Sequence, residues 1–174
     1  MNKPVTKTFT DPLAAIIPEY ITVEQKLLAR VREVCLPVCS QCAETCCAEQ
    51  YCREALDSPF LSRLVNLQAL AYDPDNGWLG GRGCRLEYGR PMVCYEFFCR
   101  RFLDDASFMS SDIRDLIKAF INIGRRARGT GHLICVADPA AISPSRIVNI
   151  RERITALNNR LSGMPVETQV EGTT

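Results

Sequence analysis

Six cysteines fall between Cys35 and Cys52, in the run CLPVCSQCAETCCAEQYC, and thiols at that density need a common chemical purpose. A second group, Cys84, Cys94 and Cys99, follows inside GCRLEYGRPMVCYEFFC, so a fold that uses the sulfur jointly has to bring two distant segments together. Cys135 stands apart from both groups.

Clustered thiols serve as disulfides, buried packing, redox groups or metal ligands. Disulfide scaffolds are short, secreted and poor in core residues, whereas this chain has 174 residues, 47% of them hydrophobic, enough for one ordinary domain. The opening MNKPVTKTFTDPLAAIIPEY lacks the unbroken apolar stretch and small-residue cleavage site of a signal peptide. No stretch reaches the length of a membrane span. The expectation is a cytoplasmic, thiol-reducing compartment, where clustered cysteines bind metal or do redox work more often than they form structural bridges.

The formal net charge of +1 makes no electrostatic case for a nucleic-acid or membrane partner. Arginine outnumbers lysine seventeen to four, and Arg53, Arg82, Arg85, Arg90, Arg100 and Arg101 flank sulfur. Guanidinium donors can offset the negative charge of a thiolate site; solvated surface is the plainer role.

The rest reads as helices, so the expected fold class is mainly α: one small helical domain over 1–174, with irregular Cys-rich loops stapled by metal and little or no β. Within it, 35–99 is the metal-binding region, 105–163 a helical region and 165–174 a disordered tail. Thr22 and Gln25 form a capping-box pattern ahead of Val23, Leu27, Val31 and Val34, up to a break at Pro37. Ser58-Pro59 starts a helix carrying Phe60, Leu61, Leu64, Val65, Leu67 and Leu70 to about Tyr72. Another opens at Ser111 or Asp112, places Ile113, Leu116, Ile117, Phe120 and Ile121 on one stripe and ends at Gly129. His132–Val136 reads as a short extended piece. The last helix starts at Ser143-Pro144, carries Ile147, Ile150, Ile154, Leu157 and Leu161 and closes at Gly163. Its seam is too short for a coiled-coil dimer and fits core packing.

Cys35, Cys39, Cys42 and Cys46 sit at offsets 0, 4, 7 and 11 and would share one helical face. Eleven residues of helix span about 16 Å, while thiolates on one zinc lie within about 4 Å of each other, given Zn–S bonds near 2.3 Å. One ion therefore cannot take all four from a regular helix. Either the segment bends, as Pro37 permits, or the sulfurs serve more than one centre. Cys39-x2-Cys42 is a two-ligand knuckle, and the following Cys46-Cys47 strengthens it.

These residues carry a family resemblance. Cys39-x2-Cys42-x3-Cys46-Cys47, then Cys84-x2-Glu87-Tyr88-x-Arg90-Pro91-x2-Cys94-x2-Phe97-x-Cys99, resembles the bacterial YkgJ-like cysteine-cluster family over roughly residues 39 to 99. The resemblance implies thiolate binding of zinc or an iron–sulfur cluster, in a family whose biochemical role is mostly unassigned; no methyl-donor site carries over from the related domain of flagellin lysine methylases. Two departures stand out. Three residues instead of two precede Cys46-Cys47, and a further cysteine found in the family is replaced here by DPDNGWLGGRG, so that either Cys52 or Cys35 supplies that thiol or the site uses fewer sulfurs. The candidate ligands are then Cys35, Cys39, Cys42, Cys46, Cys47, Cys52, Cys84, Cys94 and Cys99.

Other features are weaker. WLGGRGC lacks the Lys-Ser/Thr of a phosphate loop and reads as a flexible lead into Cys84. His132 and Asp104-Asp105 fit structural roles, Arg125, Arg126 and Arg128 complement a helix C-terminus, and Tyr88, Tyr95, Phe97, Phe98 and Phe102 are expected to shield the sulfurs. Zinc and iron–sulfur share thiolate ligands, and the ferredoxin spacing is absent. Three functional classes follow: a metal-binding protein whose centre is structural, electron-transferring or metal-handling; an iron–sulfur enzyme of unknown substrate; and a thiol redox switch. No nucleophile–base pair identifies a catalytic residue.

Overall fold

At three helix starts a serine hydroxyl accepts the backbone N–H three residues on: Ser58 from Leu61 (3.2 Å), Ser110 from Ile113 (3.4 Å) and Ser143 from Arg146 (3.4 Å). Each bond satisfies a donor that a helix end otherwise leaves open. The computed structural model describes residues 12–39, 48–80, 83–96, 110–123 and 142–164, with 36–39 described by their backbone. Among these the helices are α1 (Ile17–Cys39), α2 (Glu49–Asp57), α3 (Pro59–Asn66), α4 (Val93–Glu96), α5 (Ser111–Ile121) and α6 (Pro144–Gly163). Two-residue strands β1 (Leu79–Gly80) and β2 (Gly83–Cys84) pair antiparallel, Leu79 opposite Cys84. The protein is mainly helical, and no described helix is long and apolar enough to cross a membrane.

The long helices run side by side in the same direction. Ala15 and Glu19 meet Arg151, Lys26 donates to Asn158 (2.8 Å) and Ser162 (2.9 Å), and Arg30 donates to the Met164 carbonyl (3.0 Å). Beneath these bonds Ile150, Ile154, Leu157 and Leu161 of α6 are buried, so the seam packs within the core. The five expected apolar residues of α5 are buried as well. Aromatic rings join four helices: Tyr20 of α1 lies 5.0 Å from Phe60 of α3 and 5.3 Å from Phe120 of α5, which lies 4.9 Å from Tyr95 of α4.

Four local expectations change. Thr22 is no cap: α1 already runs from Ile17, and the Thr22 hydroxyl donates to the Pro18 carbonyl at 2.9 Å, inside the helix. Pro37 does not break α1, which continues to Cys39. α3 stops at Asn66 rather than Tyr72, because Leu67 and Gln68 tighten onto Leu64 and Val65 and Ala69 turns left-handed (φ 51°). WLGGRGC is no flexible lead among its described residues: Trp78 is buried and Leu79–Gly80 pairs with Gly83–Cys84. The expected extended piece at 132–136, the stop at Gly129 and the tail 165–174 lie outside the described residues.

Candidate metal centre

Cys52 projects from α2 into the turn that precedes β1. Asp73 and Gly77 bond each other's backbone (3.0 and 2.7 Å), and the Asp73 carboxylate accepts the N–H groups of Asp75 (2.8 Å) and Asn76 (3.0 Å), closing a tight loop. Those two N–H groups hold the Asp73 carboxyl below the usual range. Gly77 has φ 62°, and a Cβ there would stand 2.6 Å from Cys52 Sγ, so the loop admits the thiol only because residue 77 has no side chain. The next backbone N–H, that of Trp78, donates to Cys52.

Cys84 sits on β2 and Cys94 on α4, and both face the same cavity as Cys52, of about 90 Å³. Ala48, Leu86 and Arg90 complete the part of its wall that matters here. Cys52 and Cys84 are thiols rather than half-cystines. Burial pushes the Cys52 thiol up; the Trp78 N–H opposes this, while Cys84 and Glu49 add to it.

The segment bearing Cys84 and Cys94 is held from two sides. From α3, the Gln68 side chain donates to the Tyr88 carbonyl (3.0 Å) and accepts the Glu87 N–H (2.8 Å), the pairing a neighbouring strand would make. From α1, the buried Glu24 carboxylate accepts the N–H groups of Gly89 (2.7 Å) and Arg90 (2.9 Å) and the Tyr95 hydroxyl (2.7 Å). Gly89 is left-handed (φ 73°), and a Cβ on it would stand 3.0 Å from Leu64 Cβ. Arg90 then turns its guanidinium onto the Leu86 carbonyl (3.1 Å from Nε, 2.7 Å from Nη2) and the Cys84 carbonyl (3.4 Å). Pro91, beside it, is buried.

Of the arginines that flank sulfur, the described Arg53, Arg85 and Arg90 bond oxygen. Arg85 donates to the Trp78 and Ala71 carbonyls (both 3.4 Å), and the exposed Arg53 pairs with Glu49 at 2.8 Å. Tyr95 is fully buried on Glu24 and Phe120, and Tyr88 is half-buried against the core.

Of the nine expected ligands, then, Cys52, Cys84 and Cys94 come together around one cavity. Cys35 packs half-buried against the core on α1, one helical turn before Cys39, whose backbone ends that helix. Cys42, Cys46, Cys47 and Cys99 lie outside the described residues, as do His132, Cys135, Asp104, Asp105, Arg82, Arg100, Arg101 and the Arg125–Arg128 patch. Cys47 is bonded directly to Ala48 of the cavity wall. Among the described residues, no three Cys, His, Asp or Glu side chains form a group that could hold a metal ion, Cys52, Cys84 and Cys94 included.

Sequence reading missed Glu24 and Gln68. Glu24 did leave a signal: a carboxylate among Tyr20, Val23, Leu27 and Leu28, on a stripe that is otherwise apolar. Comparison of the chain with protein-family models, curated proteins and solved structures yields no match in any of the three.

Proposed function

We propose that the chain is a metal-binding protein with a cysteine-ligated zinc or iron–sulfur centre at the Cys52–Cys84–Cys94 cavity, in a structural, electron-transfer or metal-handling role. The observation that carries this reading is that three cysteines from α2, β2 and α4 line one small cavity, although as they stand they do not form a group that could hold an ion and further thiolates are needed. The surroundings fit bound sulfur. A backbone N–H points at Cys52, glycine replaces any side chain beside it, and an all-sulfur donor set suits zinc or iron. Cys47, one bond from the wall, and Cys42, Cys46 and Cys99 supply further thiolates in this reading, as the YkgJ-like resemblance implies. A reducing, cytoplasmic setting goes with it.

An iron–sulfur enzyme remains the alternative, with the cavity as its substrate space. The redox-switch reading is the weaker one, because burial raises the Cys52 thiol and a reactive thiolate needs the opposite.

Anaerobic purification followed by elemental analysis and an absorption spectrum tests the proposal. Stoichiometric zinc without colour, or iron and sulfide with a broad visible band, is expected, with loss of metal in Cys52→Ser and Cys84→Ser and retention in Cys135→Ser. Metal-free protein, or metal content indifferent to Cys52 and Cys84, refutes it.

A further inference from the structure

A carboxylate with no exposed surface is costly unless its oxygens are filled. Among the described residues, all the hydrogen bonds that fill those of Glu24 come from the segment bearing Cys84 and Cys94. Gly89 and Arg90 lie between the two cysteines and Tyr95 directly follows the second. Two successive N–H groups, the first from a left-handed residue, converge on one anion as in a backbone nest. The residue whose N–H is gripped, Arg90, passes the constraint on: its guanidinium holds the carbonyls of Cys84 and Leu86. Tyr95, pinned by its hydroxyl, fixes the helical turn that carries Cys94.

We propose that Glu24 is a positioning residue of the thiol cavity: its carboxylate sets where Cys84 and Cys94 stand relative to Cys52, and thereby how tightly the thiols take a divalent ion. The affinity part rests on the metal-binding reading; the placement of the thiols does not. A core position that only needed filling would take leucine with no desolvation cost, as Leu27 and Leu28 do on the same stripe. Neighbouring Tyr20 makes the contrast, since among the described residues its buried hydroxyl has no hydrogen-bond partner and so ties nothing to the cysteine segment by a hydrogen bond.

The test uses the full chain as wild type, Glu24→Gln, Tyr95→Phe and a control, Leu157→Ala, which thins the α1–α6 seam away from the cavity. Glutamine keeps the volume but turns an amide donor toward a backbone donor. Two quantities are read at a temperature where all variants keep their helical circular dichroism. One is cobalt(II) affinity, from thiolate-to-cobalt absorbance against a competing chelator. The other is the alkylation rate of each cysteine in metal-free protein, by peptide mass spectrometry. Glu24→Gln is expected to lower cobalt affinity about tenfold or more, with Tyr95→Phe in the same direction and smaller. Both shift the Cys84:Cys52 and Cys94:Cys52 alkylation ratios, and Leu157→Ala shifts neither. Unchanged ratios in Glu24→Gln overturn the proposal, as does an equal shift in the control. If wild type takes up no cobalt, the metal-binding reading falls and the alkylation ratios still decide the role of Glu24. If Glu24→Gln does not fold, the ratios in Tyr95→Phe decide it.

Discussion

Tyr20 and Glu24 stand one helical turn apart on the buried face of α1, and their polar atoms meet opposite fates. Among the described residues the Glu24 carboxylate accepts three hydrogen bonds, while the Tyr20 hydroxyl, between Phe60 and Phe120, has no partner. An unsatisfied buried hydroxyl costs about 1–3 kcal/mol, so Tyr20→Phe is expected to leave stability unchanged or raise it by about 1 kcal/mol. Glu24→Gln, which sets donor against donor, is expected to lose about 1–3 kcal/mol. Urea unfolding of both variants checks the pair, and a clear loss in Tyr20→Phe contradicts the assignment.

Acidity follows from the same burial. Desolvation raises the Glu24 carboxyl, outweighing the Tyr95, Gly89 and Arg90 bonds and the Arg90 charge that lower it. The folded state therefore holds this proton more tightly than the unfolded chain. Its contribution to stability is full below the ordinary glutamate range and is lost as pH rises through the raised folded value. Tyr20 and Tyr95 are pushed well above the usual tyrosine value by burial, then by neighbouring charge, so the stability they lend is lost as pH climbs past about 10. Glu49 has the opposite sign: Tyr72 first, then Arg53, lower it, and that stability is lost as pH falls through its lowered value. Unfolding free energies across a pH series are expected to show the deficit of Glu24→Gln largest in acid and shrinking toward neutrality. A deficit independent of pH removes Glu24 as the titrating group.

Gly77 and Cys52 form a second tight pair. Alanine at 77 brings left-handed strain of about 1–3 kcal/mol and an overlap of similar size with Cys52 Sγ and Cβ, at 2.6 and 2.7 Å. Gly77→Ala is expected to cost on the order of 2–4 kcal/mol in all. Cys52→Ala in that background recovers only the share due to sulfur, since the strain and the Cβ overlap remain. A double-mutant cycle by urea unfolding measures this, and purely additive losses would show that the two residues do not touch.

The helical frame was legible because its signals are local. Ser58-Pro59, Ser143-Pro144 and the three-four spacing of Ile150, Ile154, Leu157 and Leu161 need no distant partner to be read. α3 was overextended because Leu67 and Leu70 keep the apolar spacing, while the turn that ends the helix depends on Ala69 going left-handed and Gln68 being drawn to Glu87 and Tyr88. At the site, cysteine spacing and the Arg90-Pro91 pair drew attention to the segment bearing Cys84 and Cys94, which lines the cavity with Cys52. The residues that join them did not announce themselves: a glutamate in α1 and a glutamine after α3 bond backbone groups far along the chain, and spacing carries no trace of such bonds.

Arg90 lies in the turn between Cys84 and Cys94, and its guanidinium rests on the carbonyls of Leu86 and Cys84. Two nitrogens of one planar fork reach Leu86, and one of them also reaches Cys84. Lysine keeps the charge, but its single ammonium on a flexible stem cannot reproduce that fork. On the proposed metal-binding function, Arg90→Lys is therefore expected to speed metal loss to a chelator, on the order of tenfold, by loosening the backbone of Cys84. Arg32→Lys, on the exposed side of α1, serves as the control and is expected to release metal at the wild-type rate. Release followed by a colorimetric chelator separates the outcomes: equal rates in the two variants mean that the Cys84 carbonyl bond does not hold the thiol in place, whereas a faster rate in Arg90→Lys alone ties metal retention to the fork.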